Sequence, residues 1–407
     1  MGNNNAEAGG AQGMFSVNAR RFATAALAAV LALAPARAAF AWGDDIHEMV
    51  VRLAVELLPE PLRRELRREM KSLLEGATAP DRRADSRGKC FDPAEAPRHY
   101  IDIEMTSADF LAAWKQKLAS SGSPEGEALQ ALKGAFVKEY FSRRTVPLAA
   151  AEARALFDAL PADKAGFVKL VGESEAGWIG TGPYTVRERY DELVLALAFA
   201  SEAPGGSGVR ARPSRDQWAE AARLAGELSH YAADMHMPLH GTVNYKGQLT
   251  GNLIIATKDP DDETRHVHVR YEVMTCRAYL AEIERAVRPR LVPARALPRG
   301  TTPERLAIRA ARASYPLDAE ILLVDKLILP GDSPPRRGDG YVRFMQENLG
   351  EATARQVAFA AQAAADLMLS ASLEAEGLRG PGAAAAAGSG RAARPATERG
   401  DGIELKQ

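Results

Sequence analysis

The stretch SRDQWAEAARLAGELSHYAADMHMPLH, residues 214–240, combines the pattern of a long helix with a concentration of histidine. Its apolar residues recur at three- and four-residue spacing, which predicts an amphipathic α-helix. Ser214 or Asp216 can cap the start of this helix, and Pro238 ends it. The stretch therefore predicts a helix whose last turn carries histidine and aspartate.

The same periodicity runs through most of the chain, from HEMVVRLAVELL near the start to ADLMLSASLEAEG near the end, and it predicts an all-α fold. Only two segments, NLIIAT (252–257) and HVHVRYEV (266–273), alternate in the manner of a β-strand, and part of the second is also compatible with a helix. We predict one multi-helix domain over residues 42–377, in which residues 205–213 form a surface loop.

The two ends of the chain differ from this helical middle. Residues 1–41 are interpreted as a leader and signal peptide, because a basic pair and an apolar run precede AFA (39–41), an A-x-A cleavage site. Cleavage there would make Trp42 the first mature residue and would export the protein to the periplasm or the medium. Residues 378–407 are rich in Ala, Gly, Pro and Arg, which predicts a disordered tail.

Charge and cysteine content limit the function classes. The formal net charge is −1, and it becomes −3 without residues 1–41, so no strong footprint for nucleic acid or anionic membrane is expected. The apolar run near the start is too short for a membrane anchor, which needs about 20 residues, and no obligate protein partner is evident. Cys90 and Cys276 can form one disulfide in an exported chain, with two buried free thiols as the alternative.

Histidine is scarce but clustered. Three of the seven histidines lie within HYAADMHMPLH. In a helix, His230 and Asp234 are four positions apart and face the same way, and His240 approaches from the loop beyond Pro238. Imidazole and carboxylate together suit zinc, which prefers nitrogen and oxygen ligands.

The other histidines also lie close to acidic residues. In HVRYE, His268 and Glu272 are four positions apart and form a second ligand pair if the segment is helical. Further candidates stand in three motifs: WGDDIH with Trp42 and His47, APDRRAD with Asp81 and Asp85, and HYIDIE with His99, Asp102 and Glu104. His236 and His266 are interpreted as surface residues or as supports of the ligands.

In this order, the motifs WGDDIH, APDRRAD, HYID, HYAADMHMPLH and HVRYE resemble the superfamily of bacterial zinc-dependent phospholipase C and single-strand-specific zinc nucleases. Members of that superfamily are exported, all-helical enzymes with three zinc ions, and their mature chains begin with a metal-binding tryptophan. The resemblance spans residues 42–272. It implies an exported zinc hydrolase that acts on phosphoric esters.

The resemblance also implies the ligands of each zinc ion. One zinc would be held by Asp81, His99, His230 and Asp234. A second would be held by His240, His268 and Glu272. The third would be held by the α-amino nitrogen and carbonyl oxygen of Trp42, by His47, and by Asp234 as a bridge. Asp81 is preferred over Asp85 because APD resembles the family's context.

Roles in the reaction follow from the same resemblance. Two zinc ions about 3.5–4 Å apart can share a water whose pKa falls towards about 7 and which attacks phosphorus. Asp81 would orient this nucleophile, and Arg82 or Arg83 would neutralise charge on the phosphoryl oxygens. Tyr100 can line the cleft and stack on a base or an acyl-glycerol backbone, with a core tyrosine as the alternative.

Two substrate classes stay open. Glu272 and the tyrosine after His230 resemble phospholipase C, whereas DMHMPLH and TGN (250–252) resemble the nucleases and make Asn252 a candidate substrate-binding residue. We favour an activity of nuclease or 3′-nucleotidase type on single-stranded nucleic acid or nucleotides. Phospholipids similar to phosphatidylcholine are the alternative substrate, and a non-catalytic exported zinc-binding protein is a third interpretation.

Overall fold

The computed structural model describes residues 42–85, 88–122, 124–201, 215–254, 263–329 and 340–378. The predicted leader and signal peptide, the loop 205–213 and the predicted tail from residue 379 onward lie outside the described residues. So do Ser214, one of the two capping candidates, and the second half of NLIIAT. Every side chain predicted for the functional site is described.

The described residues form helices and no β-strand, which confirms the all-α prediction. The helices are α1 (Asp44–Leu57), α2 (Leu62–Arg68), α3 (Met70–Ala84), α4 (Ala108–Ser120), α5 (Gly126–Phe141), α6 (Ala150–Ala159), α7 (Lys164–Val171), α8 (Glu173–Ile179), α9 (Gly182–Ser201), α10 (Arg215–Asp234), α11 (residues 267–278), α12 (Leu280–Val287), α13 (Pro303–Ser314), α14 (Leu317–Ile328) and α15 (Gly340–Leu378). Short 3-10 turns occur at Ala96–Arg98, Ile103–Thr106, Pro238–Gly241, Glu263–Arg265 and Arg288–Arg290.

Helix α10 lies at the centre of the fold and packs against α1, α3, α9 and α15. Helix α15 also packs against α1 and α9, and its buried face is rich in alanine, which permits close packing. Among the described residues, no helix combines the length and the apolar composition that crossing a membrane requires.

Helices α3 and α10 touch because each has a glycine where they cross. A Cβ atom on Gly76 would lie 2.0 Å from the backbone oxygen of Arg223, and one on Gly226 would lie 2.1 Å from that of Leu73. A larger residue at either position would force the two backbones apart. Their last turns therefore lie side by side.

The segment HVHVRYEV is helical from Val267 onward, so the strand interpretation of it is wrong. Val267–Val269 and Cys276–Ala278 are α-helical, and the stretch between them, Arg270–Thr275, is π-helical. His268 and Glu272 are buried on this helix, as the ligand-pair interpretation requires. Single π turns often occur at functional sites.

A buried ion pair anchors α11 to α14. The guanidinium of Arg270 donates to both carboxylate oxygens of Asp325, at 2.9 and 2.8 Å, and to the backbone oxygen of Asn252 at 2.8 Å. Neither Arg270 nor Asp325 has measurable exposure. Loss of one partner of such a pair leaves an unpaired buried charge, so this pair fixes the position of α11.

Candidate metal centre

Side chains from five separate motifs meet at one buried place. The structure brings together eight of the nine residues predicted as ligands, each no more than 5% exposed: His47, Asp81, His99, His230, Asp234, His240, His268 and Glu272. Their ligating atoms form three groups, and within each group all the atoms lie within 4.8 Å of one another. The groups are Asp81, His99 and His230; His240, His268 and Glu272; and His47, His230 and Asp234.

The carboxylate of Asp234 borders all three groups. Its Oδ2 lies 3.0 Å from His99 Nδ1 and 3.4 Å from His230 Nε2. Its Oδ1 lies 3.5 Å from His47 Nε2 and 3.8 Å from His240 Nδ1. One side chain at the end of α10 therefore connects the groups, which is the arrangement expected of a bridging ligand.

The first group is built by the ends of α3 and α10. His230 Nδ1 is 2.8 Å from the backbone oxygen of Ala77, and this bond directs His230 Nε2 towards Asp81 Oδ1 at 3.6 Å. His99 Nδ1 lies 3.7 Å from the same oxygen. Asp85, the alternative ligand, is half-buried and belongs to none of the three groups. The geometry therefore favours Asp81.

The second group joins the loop after α10 to α11. His240 Nε2 lies 3.1 Å from His268 Nε2, and His268 Nε2 lies 2.6 Å from Glu272 Oε2. One turn of α11 presents both His268 and Glu272 to the imidazole of His240. This placement depends on the helical form of HVRYE.

The third group lies beside the start of the described chain. The rings of His47 and His230 stack with their centroids 3.8 Å apart. Trp42 is fully buried, and its Nε1 donates to the backbone oxygen of Ala233 at 3.1 Å. Because Ala233 precedes Asp234, this bond seats Trp42 against the last turn of α10. The ligand role of its α-amino group stays a prediction.

Three of the candidate ligand histidines are neutral in the folded chain. Burial lowers the pKa of His230 and of His240 well below the ordinary value, and it lowers that of His268 to about 3. Neutral imidazole is the form that binds a metal ion. These side chains are thus ready to act as ligands at neutral pH.

His99 differs because acidic side chains surround it. Burial alone would lower its pKa, but hydrogen bonds to Asp234 and Glu95, together with the charges of Asp234 and Asp81, raise it to about 10. Burial raises the pKa of Asp234 to about 6 and that of Glu272 well above its usual range. The proton on His99 supplies positive charge that a metal ion could supply instead.

Binding of a metal ion at this cluster is therefore expected to release a proton from His99 and to strengthen as the pH rises. Below its pKa of about 10, this imidazole carries a proton that the metal must displace. The apparent affinity should rise about tenfold per pH unit between roughly pH 7 and 9. Calorimetry in two buffers of different ionisation enthalpy measures the protons released. His99→Gln should release one proton fewer, and a wild-type affinity independent of pH would contradict the expectation.

Several atoms of the cluster lack the hydrogen bonds that buried polar atoms normally make. Within the part of the chain that the structure describes, Asp234 Oδ1, His240 Nδ1 and Glu272 Oε1 make no hydrogen bond, and Glu272 Oε2 has only its 2.6 Å ion-pair contact with His268 Nε2. Leaving such atoms unsatisfied in the interior costs free energy, and bound cations would satisfy them. These buried histidines and carboxylates could therefore hold metal ions.

A network of ion pairs behind His99 was not predicted from the sequence. Glu95 Oε1 lies 3.7 Å from His99 Nε2, and Glu95 Oε2 accepts from Arg83 Nε at 2.6 Å. Tyr231 also donates to Glu95, and Arg83 pairs with Glu227 at 3.0 Å. The guanidinium of Arg83 is thus engaged by Glu95, the residue beside His99, and by Glu227. This argues against the predicted contact of Arg83 with a phosphoryl group. The four-residue spacing of Glu95 and His99 was the available signal.

Two other predicted substrate-binding side chains are also engaged elsewhere. Arg82 is exposed, and it donates to the hydroxyl of Thr78 and to the backbone oxygen of Glu75 at 3.2 Å. Asn252 is fully buried, and its amide donates to a backbone oxygen of α14 at 2.7 Å and to Asp325 at 2.8 Å. The side chain of Arg82 therefore bonds to residues of its own helix, α3, and Asn252 stabilises the attachment of α14.

Tyr100 is packed as a structural residue. Its backbone oxygen accepts from Gly182 N at 3.0 Å, and a Cβ atom on Gly180 would lie 2.3 Å from that oxygen. Its hydroxyl is 3.5 Å from the backbone oxygen of Trp178. The side chain of Tyr100 is half-buried, and its predicted stacking on a substrate stays a prediction.

Glu104 fixes the loop that carries His240. Its Oε1 accepts from the hydroxyls of Thr242 at 2.6 Å and Tyr315 at 2.7 Å, and its Oε2 accepts from the backbone of Val243 at 3.1 Å. The acidic residue singled out near the HYID motif therefore supports the second ligand group and is not itself in any group.

The predicted disulfide is wrong, because Cys90 and Cys276 are both free thiols. Cys90 is exposed in the loop after α3, whereas Cys276 is 1% exposed within α11. The candidate ligands converge in the interior, whereas Cys90 is exposed to solvent. Convergence of the ligands therefore does not bring the two sulfur atoms together.

In comparisons with known proteins, no protein-family model and no curated protein matches the chain. The class of site is therefore defined by its geometry, which is a buried histidine and carboxylate cluster that could hold metal ions.

Proposed function

We propose that the chain is an exported zinc-dependent hydrolase of phosphoric esters, of nuclease or 3′-nucleotidase type, that holds three zinc ions. The observation that carries the proposal is the carboxylate of Asp234, which borders three groups of buried ligands. Clustered cations suit phosphoryl transfer because two of them can act on one phosphoryl group.

The proposed ligands follow the three groups. Asp81, His99, His230 and Asp234 would hold one zinc ion; His240, His268 and Glu272 a second; and His47, Asp234 and the backbone of Trp42 a third. Five histidines favour zinc over magnesium or calcium, which take oxygen ligands. Bound zinc would supply a water of lowered pKa and positive charge near the phosphoryl oxygens.

Asp81 is the residue that we propose as catalytic. Its carboxylate is 1% exposed and lies 3.6 Å from His230 Nε2 and 4.0 Å from His47 Nε2. It would accept a hydrogen bond from the attacking water and orient it. Glu95 would keep the imidazole of His99 in position, since Arg83 holds its carboxylate from the other side.

A zinc-dependent phospholipase C that acts on phosphatidylcholine-like lipids is the second candidate. The carboxylate of Glu272 as last ligand and the position of Tyr231 after His230 favour it. A non-catalytic zinc-binding protein would share the ligand groups but would leave every phosphoric ester intact.

A side-by-side assay tests the proposal. The purified chain that starts at Trp42 is offered single-stranded DNA, 3′-nucleotides and phosphatidylcholine vesicles, and its metal content is measured. We expect bound zinc and hydrolysis of the nucleic acid substrates, with loss of activity after chelation and recovery with added zinc. Hydrolysis of phosphatidylcholine alone would support the phospholipase, and a zinc-loaded but inert protein would support the non-catalytic alternative.

Residues added before Trp42 are expected to remove one zinc ion selectively. Only a free α-amino nitrogen at Trp42 can bind the third ion, and an extension turns that nitrogen into an amide. Zinc per chain is compared between the form that starts at Trp42 and a form with two extra residues. Amino-terminal sequencing of exported protein should also begin at Trp42. Equal zinc content in the two forms would remove the terminal amine from the site.

A further inference from the structure

A charged turn lies directly beside the second ligand group. Gly247 N donates to the backbone oxygen of Asn244 at 2.7 Å, so Tyr245 and Lys246 occupy the two central positions of a β-turn. The turn ends at Gly247, which has a φ of 74° that favours glycine.

Buried side-chain bonds hold this turn in place. The side chain of Asn244 is fully buried, and it accepts from Leu249 N at 2.7 Å and donates to the hydroxyl of Thr250 at 3.0 Å. The backbone oxygen of Gly247 accepts from Asn252 N at 2.9 Å. Tyr245 and Lys246 are therefore presented by a preorganised turn.

Tyr245 connects the turn to the ligands. Its half-buried ring stands edge-on to the imidazole of His268, at 90° and with 5.5 Å between the ring centroids. The ammonium of Lys246 lies 5.3 Å from the centroid of the same Tyr245 ring. One aromatic ring thus separates a metal-ligating imidazole from a lysine.

Lys246 carries a positive charge that is available to a ligand. Its side chain is half-exposed, and no carboxylate among the described residues forms an ion pair with it. The Tyr245 ring, with this ammonium beside it, faces the imidazole of His268. An anion bound next to His268 would therefore also be attracted by Lys246.

We propose that Lys246 binds a phosphate neighbouring the one that is hydrolysed, so that the site selects nucleic acid over choline phospholipid. The proposal rests on the proposed function and names its substrate class. Lysine is a common point-charge partner of phosphate, and contacts to the phosphate backbone dominate affinity for nucleic acid. A nucleic acid strand offers a further phosphate next to the scissile one, whereas phosphatidylcholine has a single phosphate and a quaternary ammonium.

The same turn disfavours the binding of a choline headgroup. Quaternary ammonium groups are recognised by open aromatic faces, and the Tyr245 ring already has the ammonium of Lys246 beside it. A second cation at this ring would be repelled by Lys246. The one positive charge thus attracts a strand of phosphates and disfavours the lipid.

The test compares Lys246→Met with Lys246→Arg, and it uses Lys115→Met as a matched control on the exposed side of α4. Each zinc-loaded protein is titrated with a fluorescent phosphorothioate oligothymidylate and, separately, with inorganic phosphate and phosphatidylcholine vesicles. We expect Lys246→Met to weaken oligonucleotide binding about tenfold at low salt and to reduce the slope of log K against log salt by about 0.7. Lys246→Arg should retain the wild-type affinity for the oligonucleotide and the wild-type salt dependence. Lys246→Met should bind phosphatidylcholine vesicles no more weakly than wild type does.

Other outcomes separate the two proposals. The role of Lys246 is overturned if Lys246→Met and Lys115→Met bind the oligonucleotide equally. It is also overturned if Lys246→Met weakens vesicle binding as much as it weakens oligonucleotide binding. Both conclusions hold whether or not the wild type hydrolyses DNA. If the wild type hydrolyses no ester but its oligonucleotide binding depends on Lys246, the proposed function fails and the binding site stands. Thermal melts of all variants confirm that each one is folded.

Discussion

Replacing Asp234 by asparagine is expected to lower the zinc content and to reduce phosphoesterase activity by at least about 100-fold. The carboxylate lies 3.5 Å from His47 Nε2 and 3.0 Å from His99 Nδ1, so it serves more than one ligand group. Asparagine keeps the shape but has no negative charge, and its amide nitrogen cannot act as a ligand. Zinc content and hydrolysis of an oligonucleotide are measured on the same samples.

Asp85→Asn is the matched control for this change. Asp85 is half-buried at the end of α3, and it lies outside the three groups. The control should retain its zinc and its activity. Full zinc content in Asp234→Asn would remove Asp234 from the metal site, and a circular dichroism melt separates loss of metal from loss of fold.

Replacing Gly226 by alanine is expected to destabilise the fold and to displace the ligands at the end of α10, although Gly226 itself contacts none of them. The new Cβ atom would lie 2.1 Å from the backbone oxygen of Leu73, so α3 and α10 must move apart. Overpacking of this kind costs about 1–3 kcal/mol, and the better helix propensity of alanine offsets up to about 1 kcal/mol. His230 lies one turn further along α10, and its bond to Ala77 would lengthen. The free energy of unfolding, measured with denaturant, and the affinity for zinc should both fall.

Gly177→Ala provides the comparison in α8. A Cβ atom on Gly177 would meet nothing within 4 Å, so the free energy of unfolding should stay the same or rise slightly. If Gly226→Ala were as stable as Gly177→Ala and bound zinc as tightly, the close contact of α3 and α10 would not be what positions the ligands.

The helices and the pairing of candidate ligands on one helix face could be predicted because both depend on spacing along the chain. Apolar residues three and four positions apart reveal a helix wherever one face is buried. The same spacing puts His230 with Asp234, and His268 with Glu272, on common helix faces. The resemblance to the phospholipase C and zinc nuclease superfamily added the grouping of the ligands, and it remains a hypothesis.

Side chains whose partners are distant in the chain could not be assigned in the same way. Asn252 stands in a nuclease-like motif, yet its amide is used up by Asp325 and a backbone oxygen of α14. Arg83 follows a predicted ligand, yet it pairs with Glu95 and Glu227. The two cysteines looked like one disulfide only because export and a shared neighbourhood were assumed.

By itself, the sequence determined that the described chain is all-helical and that histidine and carboxylate stand in pairs suited to a metal. Periodicity carries this information because neighbours on one helix face are set by local geometry. The resemblance implied that Asp234 bridges two ions, but only the tertiary structure brought its carboxylate to three groups and placed Lys246 beside one of them. Contacts between residues distant in the chain depend on how closely the helices pack. At Gly76 and Gly226, the absence of a side chain sets the distance between α3 and α10.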